Sequence, residues 1–200
     1  MLEKFDLILL TIFAWVLLVA TTIFLISSPP VFSAVFETVH ENKIVSKAYP
    51  VFNLTVPFWQ VVIGDAEDKK PAQLTDAEIS HLVDIKILLT NLYIYAIICG
   101  GFITLRLIFY KTSFAKVSKL LLFSTLIFLL LTLAVALISW NWFFEKFHSL
   151  FFTAGSWQFP RDSILLEFFP QNFWQVYGIV FGVAFLLLVV LFWILLSKKS

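Results

Sequence analysis

The sequence predicts an all-α integral membrane protein: a single membrane domain over residues 1–200, with four transmembrane helices and a small extracellular cap. Hydrophobic residues make up 60% of the chain, including 24 Phe and 7 Trp, whereas soluble domains are usually about 45–50% apolar. A soluble fold could not bury that excess, so we expect a bilayer as the solvent. Four apolar runs are long enough to cross about 30 Å of hydrocarbon as helices. The runs cover residues 7–26, 87–109, 120–140 and 174–196.

The first run, Leu7–Ile26, is interpreted as an uncleaved membrane anchor rather than a signal peptide. Its apolar core is about twice as long as a signal peptide needs, and no clear A-x-A cleavage site follows it. The stretch Ser27–Pro30 contains two prolines, which should end this helix. In the second run, Arg106 lies close enough to the end to extend its charge toward the interface.

Basic residues predict the orientation of the chain. Arg106 near the end of the second run is followed by three lysines and no acid in the connection to the third run, and the tail ends in Lys198 and Lys199. Because Lys and Arg in short loops mark the cytoplasmic side, we expect both termini in the cytoplasm. Segments 27–86 and 141–173 are then extracellular, and all three histidines lie in them.

The first extracellular segment is too long for a bare connection. The mildly amphipathic stretch Val31–His40 predicts a short helix at the membrane surface. Ile44–Ile63 is rich in Val, Phe and Tyr and contains two prolines, which suggests short edge strands.

A capping box predicts where the second transmembrane helix begins. Thr75 fits the N-cap and Glu78 the third helical position, so the helix should start near Asp76. A helix from there to the end of the apolar run is about 52 Å long, which exceeds the hydrocarbon thickness. Its first turns should stand outside the hydrocarbon. His81 lies on these turns, about 9 Å before the apolar run begins at Ile87.

The second extracellular segment carries a dense aromatic belt, as expected at a membrane interface. The belt consists of Trp142, Phe143, Phe144, Phe147, Phe151 and Phe152. His148 lies within it, Gly155 then ends the element, and a turn around Pro160 follows. We therefore expect His148 at the same depth as His81, on the same side of the membrane.

Two histidines at one level suggest acid–base chemistry. Taken singly, an interfacial histidine is commonly an amphipathic filler. As a pair, one ring can accept a proton while the other donates one, because histidine titrates near neutral pH. Acyl transfer between two groups of one bound substrate needs only a base, an acid and positioning.

Other functions are weaker or excluded. The single cysteine, Cys99, rules out disulfide frameworks, CxxC redox pairs and cysteine-rich zinc sites. A net charge of +1 gives no electrostatic argument for nucleic acid. A haem held by both histidines would need a deeper apolar pocket. Two histidines with Asp84 or Asp162 would give a metal ion few ligands, and their spacing matches no recognisable metal site. Gly155–Trp157 is not a nucleophile elbow. A non-enzymatic membrane protein that binds lipid or a partner through its cap remains the alternative.

Two stretches carry a family resemblance. LTDAEISHLVDIK, residues 74–86, is similar to a capped helix start followed by a His-Leu/Phe-x-Asp-Val/Ile-Lys core. KFHSLFFTAGSWQFPRDSILLEFFP, residues 146–170, is similar to a motif with Phe-His before aromatics, then Trp, a small turn, an apolar pair and Phe-Pro. The chain thereby resembles the bacterial lipoprotein intramolecular transacylase family, Lit, and its length and four-span layout also fit.

The resemblance implies a multi-pass acyltransferase of the bacterial plasma membrane, and the distribution of Lys and Arg predicts that its active site faces the extracellular side. Its partners would be membrane lipid and a lipoprotein whose N-terminal cysteine carries a thioether-linked diacylglycerol. The enzyme would move the sn-2 acyl chain onto the α-amino group of that cysteine, giving the lyso-form lipoprotein without a cofactor. By motif position, the family's paired catalytic histidines correspond to His81 and His148.

The individual roles within the pair are a hypothesis. We favour His81 as the base, because Asp84 one turn away could orient it, and the reverse assignment stays open. Candidates for stabilising the oxyanion or holding the headgroup are Trp157, Arg161 and the backbone N–H groups around Ser156. For Arg161 and Asp162, a surface ion pair is the alternative interpretation.

Overall fold

The computed structural model describes residues 2–40, 74–109 and 114–197, and within these ranges it contains helices and no strand. In chain order the helices are α1 (Leu2–Ile26), α2 (Pro29–His40), α3 (Asp76–Phe109), α4 (Phe114–Ile138), α5 (Trp140–Phe151), α6 (Ile164–Phe168) and α7 (Gln171–Ser197). The all-α prediction is confirmed for the described residues. The strands expected within Ile44–Ile63 lie outside them.

Four helices, α1, α3, α4 and α7, are long and apolar enough to cross a membrane. The four predicted runs fall on them, so the prediction of four such helices is confirmed by length and composition. One boundary differs from the prediction. The third run was expected to continue to Trp140, but α4 ends at Ile138 and Trp140 begins α5, because the aromatic residues that follow belong to a separate helix.

The contacts divide the chain into two compact units. The first comprises Met1–Ile23, Asn91–Trp140 and Phe181–Ser200, and the second comprises Phe24–Thr90 and Asn141–Val180. Both segments that resemble the family motifs lie in the second unit.

The first unit has an apolar core, and hydrogen bonds between side chains link its helices. The core residues are Leu10, Ala14, Ile103, Val117, Leu121, Phe185 and Val189. The Trp15 indole N–H donates to the Ser124 hydroxyl over 3.0 Å. Arg106 donates to the Asp6 carboxylate over 2.9 Å, so its charge is paired at the end of α3.

The second unit is built around α2 and the start of α7. Its hydrophobic core contains the buried side chains of Phe32, Val35, Phe36, Leu82, Leu165, Phe168, Phe169 and Phe173. The predicted short helix is confirmed as α2, which begins at Pro29, where proline is well tolerated because the first helical N–H has no partner in the helix. Its Phe32 and Phe36 are buried within the protein.

The predicted capping box at the start of α3 is also confirmed. The backbone N–H of Thr75 donates to Glu78 Oε2 over 2.8 Å, and the N–H of Glu78 donates to the Thr75 hydroxyl over 3.3 Å. With 34 residues, α3 is about 51 Å long, which exceeds a hydrocarbon core of about 30 Å. We therefore treat only the apolar part from Ile87 onward as membrane-spanning, and His81 precedes it.

Candidate active site

The first turns of α3 and the last turn of α5 bring His81 and His148 together. Their ring centroids are 6.2 Å apart, a separation that leaves both rings able to reach one reacting group. His81 is only 7% exposed, whereas His148 is half-buried. The two histidines singled out from the sequence therefore lie in one site.

Aromatic side chains surround the pair. Phe152 packs beside both histidines, with its ring centroid 4.8 Å from that of His81 and 5.7 Å from that of His148. Phe159 packs edge-on to His81 at 5.6 Å, and Trp157 lies 4.8 Å from His148. These rings reduce access of water to the imidazoles, which strengthens any hydrogen bond formed there.

A hydrogen bond fixes the tautomer of His148. Its Nδ1 is 2.8 Å from the backbone carbonyl oxygen of Phe144, one turn earlier in α5. Because a carbonyl oxygen can only accept, Nδ1 must carry the proton. In the neutral ring, Nε2 then has a free lone pair, so His148 is set up as a proton acceptor.

Burial keeps both rings neutral near pH 7. It lowers the pKa of His148 below its usual 6.5, although the hydrogen bond to Phe144 opposes this shift. It lowers the pKa of His81 to about 4, and the neighbouring His148 adds to the effect while Asp84 opposes it. Neither ring is therefore expected to be an imidazolium before substrate binds.

Two buried nitrogen atoms at this site have no hydrogen-bond partner among the described residues: His81 Nδ1 and Trp157 Nε1. An indole N–H can only donate. Buried polar groups are normally paired because an unpaired one costs about 1–3 kcal/mol. Both atoms are therefore unsatisfied polar groups among the described residues.

Some of the residues predicted for the site make no hydrogen bond or ion pair with the histidines among the described contacts. Asp84 lies one turn after His81, but no hydrogen bond joins the two among the described contacts. Arg161 and Asp162 are exposed, and within the described part of the chain no ion pair links them. The Ser156 hydroxyl donates to the Thr153 carbonyl over 3.0 Å, which stabilises the turn.

The turn that precedes Trp157 depends on a glycine. Gly155 has φ +85°, a left-handed conformation that residues with a side chain rarely adopt. The preceding element was expected to end at Gly155, but α5 ends earlier, at Phe151, and Gly155 lies in the turn that follows. The turn returns the chain toward α5, so that Trp157 packs on His148.

Two residues of the site were missed by reasoning from sequence. Phe152 was recognised only as part of an aromatic belt, and its contact with both histidines depends on how α5 ends. Glu78 was recognised as half of a local capping box, but it is 2% exposed and also binds Ser163 and Leu165. A contact between distant parts of the chain leaves no local sequence signal.

Metal-ligating residues do not gather here. In the described ranges, no group of three or more His, Cys, Asp or Glu side chains could hold a metal ion.

One comparison with known proteins gave a match. The family model described as "Lipoprotein intramolecular transacylase Lit" matches residues 5–174, which include both motifs and both histidines and cover most of the chain. No curated protein and no solved structure is similar enough to count as a match.

Proposed function

The chain belongs to the lipoprotein intramolecular transacylase family, and on that basis we propose that it converts diacylated lipoproteins into the lyso-form. The sn-2 acyl chain of the diacylglyceryl group moves onto the α-amino group of the same cysteine. One observation carries the mechanism: two neutral histidine rings with centroids 6.2 Å apart lie within the matched range.

We assign the base to His148. An α-amino group has a pKa of about 7.7–8.0, so its ammonium form first releases one proton to water to expose the lone pair. The neutral amine attacks the ester carbonyl, and His148 Nε2 accepts a second proton from that nitrogen as the N–C bond forms. When the C–O bond breaks, the same nitrogen returns the proton to the glycerol oxygen. The hydrogen bond from Nδ1 to Phe144 favours this assignment over the one expected from the sequence.

His81 serves as a hydrogen-bond donor to the ester oxygen. Its burial keeps the ring neutral, and a neutral imidazole retains one N–H. A fixed donor in a site of low polarity stabilises the negative charge that develops on a carbonyl oxygen. The Trp157 indole N–H is a second donor for the same charge. The absence of a hydrogen bond to Asp84 weakens the case for His81 as the base.

Most of the remaining catalytic effect comes from proximity. The amine and the ester belong to one molecule, so the enzyme needs only to hold the headgroup folded. Arg161 and the backbone N–H groups of the Gly155–Trp157 turn are candidates for this role. We further propose that the site faces the extracellular side of a bacterial plasma membrane, which the distribution of Lys and Arg supports.

Mass spectrometry of a reporter lipoprotein tests the proposal in cells. Bacteria without their own transacylase would express wild type, His81→Ala, His148→Ala or Ser149→Ala, with protein amounts matched. The N-terminal peptide should be N-acylated lyso-form with wild type and with Ser149→Ala, and diacylated with either histidine variant. Product from both histidine variants would refute the mechanism. Its absence with wild type would refute the function and favour a non-enzymatic protein that binds lipid.

A further inference from the structure

Glu78 joins two distant segments of the second unit. Its Oε2 accepts hydrogen bonds from the N–H and the hydroxyl of Thr75, each over 2.8 Å. Its Oε1 accepts from the Ser163 hydroxyl over 2.5 Å and from the Leu165 N–H over 3.1 Å. One oxygen thus binds the start of α3, and the other binds the start of α6.

The arrangement requires a carboxylate. Burial raises the pKa of Glu78, but the hydrogen bonds from Ser163, Thr75 and Leu165 together hold it below the usual value. The side chain is therefore ionised near neutral pH. Because all four partners are donors, an amide at this position would place an NH₂ group against two of them.

The same two segments also meet at His81, one turn after Glu78 in α3. Phe159, which lies shortly before Ser163, packs against the His81 ring at 5.6 Å. Glu78 therefore fixes α3 to the chain segment that forms one wall around His81. The same segment carries Trp157, whose ring lies 4.8 Å from that of His148, so a shift between α3 and this segment would change how His81 is placed relative to His148.

We infer that Glu78 is a positioning residue that holds His81 in register with His148 for the reaction. The inference rests on the proposed function. It assigns to Glu78 a task beyond that of a helix cap, because the contacts to Ser163 and Leu165 contribute nothing to the local capping box of α3.

Glu78→Gln tests this inference, and Glu145→Gln is a matched control. Glu145 is exposed and lies three residues before His148, as Glu78 lies three residues before His81. With purified protein and a synthetic diacylated lipopeptide, Glu78→Gln should lower kcat by about tenfold to hundredfold, as expected for a misplaced catalytic group. KM should change little, and Glu145→Gln should match wild type. An unchanged kcat for Glu78→Gln would overturn the inference.

A double variant separates positioning from general stability. With purified protein at high concentration and long incubation, the residual rate of His81→Ala per folded protein should be the same with and without Glu78→Gln, because the group that Glu78 positions is gone. An additional loss of the same size as in the wild-type background would overturn the inference. If Glu78→Gln does not fold, Ser163→Ala removes one of the four hydrogen bonds and should lower kcat in the same direction.

Chemical labelling of His81 tests the inference without an activity assay. Diethyl pyrocarbonate should modify His81 faster in Glu78→Gln than in wild type or Glu145→Gln. The rate would be measured by peptide mass spectrometry, with each protein labelled equally far below its own melting temperature. Equal rates would contradict the role of Glu78. If wild type makes no product, the proposed function fails, and this labelling experiment still decides the role of Glu78.

Discussion

The buried His81 predicts that the folded protein loses stability as the pH falls from 7 to 5. Its pKa is about 4 in the folded chain against a usual value of 6.5, so between these values the unfolded chain binds more protons. Stability linked to this group is fully present above pH 6.5 and decreases as the pH falls toward 4. At pH 5 the expected loss is about 2 kcal/mol, and His148 adds a loss of the same sign.

Unfolding of the detergent-solubilised protein, followed by tryptophan fluorescence at pH 7 and pH 5, measures this loss. His81→Gln removes the titrating group and should remove most of the pH dependence. Glu145→Gln, on an exposed side chain, should retain all of it. A wild type equally stable at both pH values, or a His81→Gln variant with the full dependence, would show that His81 is not held neutral by burial.

Three further predictions concern single side chains. Trp157→Phe keeps the ring beside His148 but removes the N–H, so kcat should fall about 10²-fold with KM unchanged; an unchanged kcat in steady-state assays would exclude the indole as an oxyanion donor. Phe36→Ala should destabilise the protein by about 3–5 kcal/mol, because Phe36 is fully buried among other phenylalanines; denaturation in mixed detergent would measure this. Thr75→Ala should cost about 1 kcal/mol and lower the melting temperature, and no change would mean that the cap contributes little.

The helices were predictable because their signals are local. Long apolar runs need no knowledge of tertiary contacts, and the pair Thr75 and Glu78 predicted the start of α3 correctly. The break between α4 and α5 at Ser139 was not predictable, since apolar and aromatic residues continue on both sides of it. The orientation of the chain stays a prediction.

The site was predictable only in outline. Equal depth on two helical elements was enough to bring His81 and His148 together as candidates. Which ring nitrogen is free depends on the carbonyl of Phe144, and a sequence pattern does not show the rotamer that reaches it. The long-range contact of Glu78 with Ser163 depends on how distant segments pack. The sequence favoured Asp84 as an orienting partner because it lies one turn away, but spacing alone does not establish a hydrogen bond.

A crossover experiment with purified protein tests the central claim most directly. Two lipopeptides of different peptide mass would be mixed, one with an isotope-labelled sn-2 acyl chain and one without. We predict that wild type moves every labelled chain onto the amino group of the peptide that carried it, and that His148→Ala moves none. Labelled acyl chains on the other peptide, or their release as free fatty acid, would contradict intramolecular transfer by this site.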